Sequence, residues 1–404
     1  MGKIGLVLSG GVAKGAYEVG VIQAMAERGI EPAAIVGISA GALNGALMAS
    51  LIVSENFTPA AVIKKLRETW VERVSLSHFY HCFDGDEAHQ DLDRKSLNNL
   101  FLRFGIDPFN KVYLPTRFDP KALATLENIL RGNFVSMFSH AYFRRLAHDF
   151  EFPHDVKKAV KFSAVICNLM GQTTLSEDES IETAWAHFED FGWYPNMPRT
   201  ENFIQYSRLL DTIFASSSFP LAFSPMRLTM PGASKPGLFV DGGFADNAPI
   251  GKVIHMDSEI DTVIVVMATT MVPPPEQEPD NILLVFSRMA EMLAGKFLIN
   301  NYHRVQKVNR QLAALGEVLE KEPGGEYKGS AFNEKLCIAA GFEGLADFRR
   351  RRIVRIVPII PSTPLKGTLF AGFQDPKLLE QYIDLGLANA REVLDKRLVA
   401  GAGG

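Results

Sequence analysis

The stretch AAIVGISAGALNGALM, from Ala33 to Met48, decides the fold of the first part of the chain. A short apolar run leads into Gly-x-Ser-x-Gly, and a row of small residues without charge follows. This order predicts a short buried strand, a sharp turn and a buried helix. Ser39 stands at the turn, where glycines relieve crowding and the helix N-terminus lends partial positive charge to a nucleophile. The alternative is that Ser39 is only a small residue at which the chain turns.

A second unit of the same kind lies just upstream. KIGLVLSG, Lys3 to Gly10, is an apolar run that ends in glycine, and apolar residues follow at helical spacing from Gly15 to Arg28. Two β-turn-α units in a row predict an α/β protein with a parallel sheet covered by helices. Further strands are expected at Val160–Leu169, Leu238–Asp241, Asp261–Ala268 and Arg352–Ile360, and further helices at Pro59–Val74, Pro120–Arg131, Asn281–Leu319 and Pro376–Leu398.

Composition bounds the class of protein. The chain has 404 residues, of which 47% are hydrophobic, so it can fill a sizeable core and is expected to be globular. Its 42 Lys and Arg against 46 Asp and Glu give a net charge of -4. Because this balance provides no broad positive field, nucleic acid is not an expected partner.

Cysteine usage and hydropathy indicate a location. Cys82, Cys167 and Cys337 are far apart and show no CxxC spacing, which argues against a disulfide framework or a zinc site and favours a reducing compartment. The first apolar run is too short for a secretory signal. Pro32 to Ser54 is uncharged, but it is too rich in Gly, Ser and Asn for a membrane span. The cytoplasm is therefore expected, with signal-independent export left open.

A nucleophilic serine requires a base, and two kinds are available in the sequence. His255 and His303 lie downstream of Ser39, but neither sits in a recognisable loop. FVDGGFADNAPI, Phe239 to Ile250, offers Asp241 at the end of a predicted strand. With a solution pKa of ~3.9 an aspartate is a weak base, so Asp241 needs a dry site and a direct hydrogen bond to the serine. The alternative is that Asp241 only forms an Asx turn.

A third motif, LSGGVAKGAYEVG, carries glycines at 10, 11 and 15 after the first strand. Such a loop can point backbone N–H groups at an anion, either a cofactor phosphate or a tetrahedral oxyanion. The sequence lacks the Gly-Lys-Ser/Thr of a P-loop, and its glycine spacing is not Gly-x-Gly-x-x-Gly. An oxyanion hole is the better match for the serine.

With these three motifs in this order, the sequence resembles the patatin-like phospholipase family, whose members hydrolyse acyl esters with a Ser-Asp dyad. Gly10 to Gly15 match the family's Gly-Gly-Gly-x-Arg/Lys-Gly loop, with Val12 in place of the third glycine. Gly37 to Gly41 match its nucleophile motif, and Asp241 to Gly243 match its Asp-Gly-Gly/Ala motif. Ala215 to Pro225 is similar to the family's Ala-x-Ser-x-x-Pro block, which buttresses the site.

The resemblance implies a fold and a set of roles. The fold is a three-layer α/β/α domain over residues 1–400 with a mainly parallel central sheet, a helical cap or insertion at 111–153 and a mostly helical extension at 272–350. Ser39 is the nucleophile and Asp241 its base. The expected oxyanion donors are Gly10, Gly11, Val12 and Ala40, and the expected supporting residues are Lys14, Gly37, Gly41, Gly242, Gly243 and Asn247.

The expected substrate is a phospholipid or another acyl ester, with transient contact to a membrane surface and with no metal or cofactor. One alternative is a malonyl-type acyltransferase or another His-dependent esterase, which would need a histidine close to Ser39. Another is a catalytically silent lipid-binding or regulatory module. The basic run Arg349 to Arg352, with Arg355, is either a site for lipid phosphate or a charged regulator, or a solvated helix end. The sequence predicts no oligomeric state.

Overall fold

A mixed β-sheet forms the centre of the computed structural model. The structure describes residues 2–74, 106–107, 111–112, 160–169, 185–187, 210–220, 223, 225–228, 237–268 and 282–396. Its strands are β1 Lys3–Leu8, β2 Ala34–Ile38, β3 Ile106–Asp107, β4 Lys111–Val112, β5 Lys161–Asn168, β6 Trp185–His187, β7 Met226–Leu228, β8 Gly237–Asp241, β9 Ile260–Val266 and β10 Arg355–Ile359. The predicted cap at 111–153 and the predicted helix Pro120–Arg131 lie outside the described residues, except for β4.

The main sheet has the strand order β10-β9-β1-β2-β5-β8-β7, and β6 also pairs with β5. The pairs from β10 to β5 are parallel, whereas β8 is antiparallel to both β5 and β7. β3 and β4 form a separate antiparallel ribbon. The sheet is therefore mostly parallel, as the βα order of the sequence predicts.

Helices cover both faces of the main sheet. They are α1 Ala16–Glu27, α2 Ala40–Val53, α3 Pro59–Val62, α4 at 210–216, α5 Ile250–Met256, α6 Ile282–Val318, α7 Ala331–Ala339, α8 Leu345–Arg350, α9 Ala371–Gln374 and α10 Pro376–Leu394. After α3 the chain continues in wider helical turns through Ile63–Arg67 and Thr69–Arg73. Among the described residues, none of these helices is long and apolar enough to cross a bilayer.

Alternation along β1 divides the core into two layers. Leu6 and Leu8 belong to a buried cluster that includes α1, α2 and α10. Val7 points the other way and belongs to a cluster with Ile250 of α5 and Leu298 of α6. Because successive strand side chains point to opposite faces, this pattern gives a three-layer α/β/α arrangement. The expected fold class is confirmed.

The predicted elements that fall on described residues agree with the observed ones apart from their ends. The helix expected at Asn281–Leu319 is α6, and the end of α6 packs with α7 and α8 around a small buried cluster that contains Leu315, Cys337 and Phe348. β7 was not predicted, because three residues are too few to show a period.

The basic run is bound internally at three positions. Arg352 donates to the backbone carbonyls of Ile254 (3.0 Å) and Asp257 (2.7 Å), where α5 ends. Arg351 forms an ion pair with Asp347 at 3.0 Å, and Arg349 donates to a backbone carbonyl. Arg352 is therefore occupied in joining the start of β10 to α5. The predicted strand Arg352–Ile360 is observed as β10, which begins at Arg355 and ends at Ile359.

α1 and α10 pack closely through two glycines. A Cβ atom on Gly20 would overlap the carbonyl oxygen of Ile383, and one on Gly386 would overlap that of Tyr17. The two backbones therefore approach as closely as they do because neither position carries a side chain.

We expect Gly386→Ala to lower the free energy of unfolding by about 1–3 kcal/mol, because the added methyl group must push α10 away from α1. Gly251, in α5, is the matched control: a Cβ atom there meets nothing within 4 Å. Gly251→Ala should therefore be neutral or stabilising, by up to about 1 kcal/mol from helix propensity. Urea unfolding of both variants measures the difference, and equal effects would contradict the close packing of these helices.

Candidate active site

The sheet register places Ser39 and Asp241 at the same level. Ile38, the last residue of β2, pairs with Val165 of β5, and Asp241, the last residue of β8, pairs with Ile166. Ser39 and Asp241 therefore lie on either side of β5, where two strands end. β2 and β8 run in opposite directions on the two sides of β5, and the C-terminal end of each reaches the same level of the sheet.

Ser39 occupies a strained turn between β2 and α2. Its φ is 53° and its ψ is -122°, a conformation that residues other than glycine rarely adopt. A Cβ atom on Gly37 would lie 2.6 Å from Cα of Ala42, and one on Gly41 would lie 2.6 Å from the carbonyl carbon of Leu8. Both flanking glycines are therefore required by close packing, as expected for a nucleophile turn.

Asp241 is a buried carboxylate with an incomplete set of partners. It is 3% exposed, and its Oδ1 accepts a hydrogen bond from the N–H of Gly243 at 2.8 Å. Burial raises its pKa to about 7, although interactions with the Ser39 hydroxyl and the Gly243 N–H lower it. Its other oxygen, Oδ2, is buried without a hydrogen-bond partner among the described residues. Asp241 can therefore exchange a proton near neutral pH.

Three consecutive serines hold the two candidate catalytic residues. Ser216 Oγ accepts from the N–H of Ser39 at 2.9 Å, and Ser217 Oγ donates to the carbonyl of Ser39 at 3.2 Å. The carbonyl of Ser218 accepts from the N–H of Asp241 at 3.0 Å. These serines belong to Ala215–Pro225, the block expected only to buttress the site. The side chains of Ser216 and Ser217 fix the backbone of Ser39, and the carbonyl of Ser218 fixes the backbone of Asp241.

The glycine-rich loop presents some of its amides to the site and uses others internally. Gly10 is one of the expected oxyanion donors, but its N–H donates to Asn247 Oδ1 at 2.6 Å and is therefore already occupied. The N–H of Ala13 donates to the carbonyl of Leu369 at 3.0 Å. Gly11 and Val12 lie between them, and their N–H groups have no hydrogen-bond partner among the described residues.

The fourth expected oxyanion donor is the amide of Ala40, which lies at the first position of α2. It too has no partner among the described residues, because the first N–H groups of a helix have no acceptor within it. The amides available beside Ser39 are therefore those of Gly11, Val12 and Ala40. Asn247 acts as a clamp instead, since its Nδ2 also donates to the carbonyl of Gly10 at 3.4 Å.

A buried polar network lies beneath this loop and was not predicted. Asn44 of α2 donates from Nδ2 to the carbonyl of Gly15 at 3.0 Å and to Glu18 Oε2 at 2.9 Å. Its Oδ1 accepts from Trp70 Nε1 at 2.8 Å. Burial raises the pKa of Glu18 well above its ordinary value. Asn44 thus ties the end of the loop to the helix that follows Ser39, and its only sequence signal is a polar residue in an otherwise apolar helix.

Lys14 links the loop to α6. Its ammonium group is buried and forms an ion pair with Glu291 Oε1 at 2.6 Å, and Arg288 lies 3.4 Å from the other oxygen of Glu291. Lys14 was expected to support the site, and its ion pair is with α6, a helix that belongs to none of the sequence motifs.

A cavity of about 40 Å³ opens beside Ser39 and Asp241. Apolar residues form most of its wall, namely Val12, Phe219, Phe244, Ala290, Leu293, Ala294 and Leu369. Among the described residues neither His255 nor His303 lines it. In the same part of the chain, His, Cys, Asp and Glu form no group of three that could hold a metal ion.

Comparison with known proteins identifies the family. A family model described as patatin-like phospholipase matches residues 6–254, which is more than half of the chain. The chain belongs to the patatin-like phospholipase family. Members of this family are lipid acyl hydrolases. The chain matches no curated protein.

Two solved structures are similar to this patatin-like chain. VipD from Legionella pneumophila is 14% identical with a TM-score of 0.37, and the match covers 98% of this chain and 67% of VipD. The type III effector protein ExoU is 14% identical with a TM-score of 0.31, and the match covers 98% of this chain and 53% of ExoU. The chain thus spans about two thirds of the first protein and about half of the second.

Val12 is the point at which this patatin-like loop departs from the family's motif. Its φ is 51°, in the left-handed region that favours glycine, and a β-branched residue is strained there. Its side chain is 9% exposed and lines the cavity. The loop therefore keeps the backbone conformation of a glycine at this position, and burial of the side chain offsets the strain.

We expect Val12→Gly to be more stable than Val12→Ala, by up to about 1 kcal/mol. Both variants lose the buried side chain, but only glycine adopts a positive φ without steric penalty. At an ordinary φ the order would be reversed, because glycine loses more conformational entropy on folding. Urea unfolding of the two variants measures the order, and a less stable glycine variant would contradict the observed conformation of Val12.

Proposed function

We propose that the protein is a phospholipase A or lysophospholipase that hydrolyses acyl esters through an acyl-Ser39 intermediate, with Asp241 as general base. The observation that carries this proposal is the placement of Ser39 and Asp241 level with each other across β5. Beside them lie amides without a hydrogen-bond partner among the described residues, which suit an ester carbonyl, and an apolar wall, which suits the part of the acyl chain next to it.

In the proposed first step, the Ser39 Oγ attacks the ester carbonyl while Asp241 takes the hydroxyl proton. A carboxylate with a pKa of about 7 is a far better base than an ordinary aspartate, because burial disfavours its charged form. The charge that develops on the carbonyl oxygen faces the N–H groups of Gly11, Val12 and Ala40. Such donors contribute ~3 kcal/mol each in other hydrolases.

In the proposed second step, the tetrahedral intermediate collapses. The proton on Asp241 passes to the departing alcohol, which leaves an acyl ester on Ser39. A water molecule then attacks this ester, again with Asp241 as base, and releases the fatty acid and the free Ser39 hydroxyl. Each proton taken by Asp241 is returned, so the cycle ends with Ser39 and Asp241 in their starting protonation states.

The alternatives require different residues at the site. A malonyl-type acyltransferase or a His-dependent esterase needs an imidazole beside Ser39, and neither His255 nor His303 lines the cavity. His255 instead lies in α5, where burial and neighbouring arginines and lysine lower its pKa. A catalytically silent module would have no use for the strained Ser39 turn, or for an Asp241 Oδ2 that is buried without a hydrogen-bond partner among the described residues.

The dyad is tested with three variants on soluble p-nitrophenyl esters and on a panel of phospholipids and lysophospholipids. We expect Ser39→Ala to abolish hydrolysis and Asp241→Asn to lower kcat on the order of 10³-fold, because proton transfer loses its acceptor. His255→Ala is the control and should keep wild-type activity. Loss of activity in the His255 variant would favour a His-dependent esterase, and an inactive wild type would favour the silent module.

The raised pKa of Asp241 predicts the pH dependence. Only the carboxylate form can accept the serine proton, and a raised pKa extends the protonated form to higher pH. We therefore expect kcat/KM for a soluble ester to level off above pH 7 and to fall about tenfold per unit below it. A pH–rate profile between pH 5 and 9 measures this, and a flat profile down to pH 5 would argue against Asp241 as the base.

A further inference from the structure

One face of the first turns of α6, formed by Val285, Met289 and Met292, is exposed. Met289 is 62% exposed, Met292 is 61% exposed and Val285 is 36% exposed. Their spacing of four and three residues puts them on one side of the helix. We call these three residues the α6 apolar face. We propose that this face docks on the surface of a zwitterionic phospholipid bilayer, an inference that rests on the proposed lipid hydrolysis.

The first argument is continuity with the cavity. Ala290, Leu293 and Ala294 of the same turns line the cavity beside Ser39. α6 therefore presents one apolar side to the nucleophile and another to solvent, with no change of element between them. A lipid that leaves a bilayer against the outer side reaches the wall of the cavity directly.

The second argument is charge. Glu291 is the only acidic residue between Ile282 and Lys296, and it faces inward, paired with Lys14 at 2.6 Å. Lys296 is exposed at the other end of the same stretch. The α6 apolar face thus presents thioethers to solvent, and Lys296 beside it presents an ammonium group. This combination suits acyl chains next to phosphate groups.

The third argument is the size of the cavity. About 40 Å³ is room for a few water molecules, whereas pockets that enclose a drug-sized ligand measure roughly 300 Å³ or more. The part of the cavity that the described residues line therefore cannot enclose the acyl chains of a phospholipid. A bilayer seated on the α6 apolar face would keep the rest of the lipid in an apolar surrounding while its ester reaches Ser39.

The binding test uses the Ser39→Ala protein, which cannot consume the lipid, and phosphatidylcholine vesicles. We expect the added changes Met289→Gln and Met292→Gln together to weaken co-sedimentation with vesicles about tenfold or more, because two apolar contacts are lost. Val318→Gln is the matched control: Val318 ends the same helix, is 60% exposed and lies far along the helix from the cavity. It should leave binding unchanged.

The activity test separates docking from chemistry. In the active enzyme, the Met289→Gln, Met292→Gln pair should lower hydrolysis of phosphatidylcholine vesicles by the same factor. It should leave turnover of monomeric p-nitrophenyl butyrate within twofold of wild type, because neither methionine lines the cavity. A loss on both substrates, or no loss on vesicles, would overturn the proposal.

A gain-of-signal measurement guards against misfolded variants. Met289→Trp in the Ser39→Ala protein should show a blue shift in fluorescence on addition of vesicles, whereas Val318→Trp should not. Equal shifts, or no vesicle binding at all, would overturn the docking proposal. If the wild type hydrolyses no ester while the Met289→Trp signal responds to vesicles, the proposed function fails and the docking surface stands.

Discussion

The site depends on one constraint, the pairing of β5 with a parallel neighbour on one side and an antiparallel neighbour on the other. The parallel pair puts Ile38, and hence Ser39, beside Val165, and the antiparallel pair puts Asp241 beside Ile166. A shift of one residue in either pairing would turn the side chains of that strand to the opposite face. The buried residues on both faces of the sheet prevent such a shift, so the packing of the core also sets the geometry of the site.

The residues around the proposed reaction centre are held in unfavourable states by their surroundings. Ser39 and Val12 both have positive φ values, and Asp241 is a buried carboxylate with one oxygen that has no hydrogen-bond partner within the described part of the chain. Each of these features is destabilising, and such features persist only where the rest of the structure fixes them. The serines that bind the backbone of Ser39 and the clamp of Asn247 on Gly10 are the contacts that fix them here. Burial of Asp241 is also the main cause of its raised pKa.

The sequence is informative where the chemistry depends on local backbone conformation, and less so where it depends on pairing between distant elements. The Ser39 turn, the strand end at Asp241 and the α/β class follow from short patterns of glycine and apolar residues. The antiparallel direction of β8 does not, because a strand pattern is the same in both directions. Nor does the sequence distinguish the amide of Gly10 from that of Gly11, because the difference is a hydrogen bond to Asn247, 237 residues away. Asn44 was missed for the same reason.

α6 begins beyond the last residue that matches the family model, yet it forms one wall of the cavity. It is attached to the motif residues at two points. Glu291 pairs with Lys14 of the glycine-rich loop, and Asn301 donates to Asp246 at 3.0 Å and to the carbonyl of Ala248 at 2.9 Å in the segment that follows Asp241. In the proposed function, the motifs therefore supply the reacting atoms, whereas a helix outside them shapes the space around the substrate. Substrate preference can change through α6 while the dyad stays the same, because the contacts that hold the helix are separate from the side chains that line the cavity.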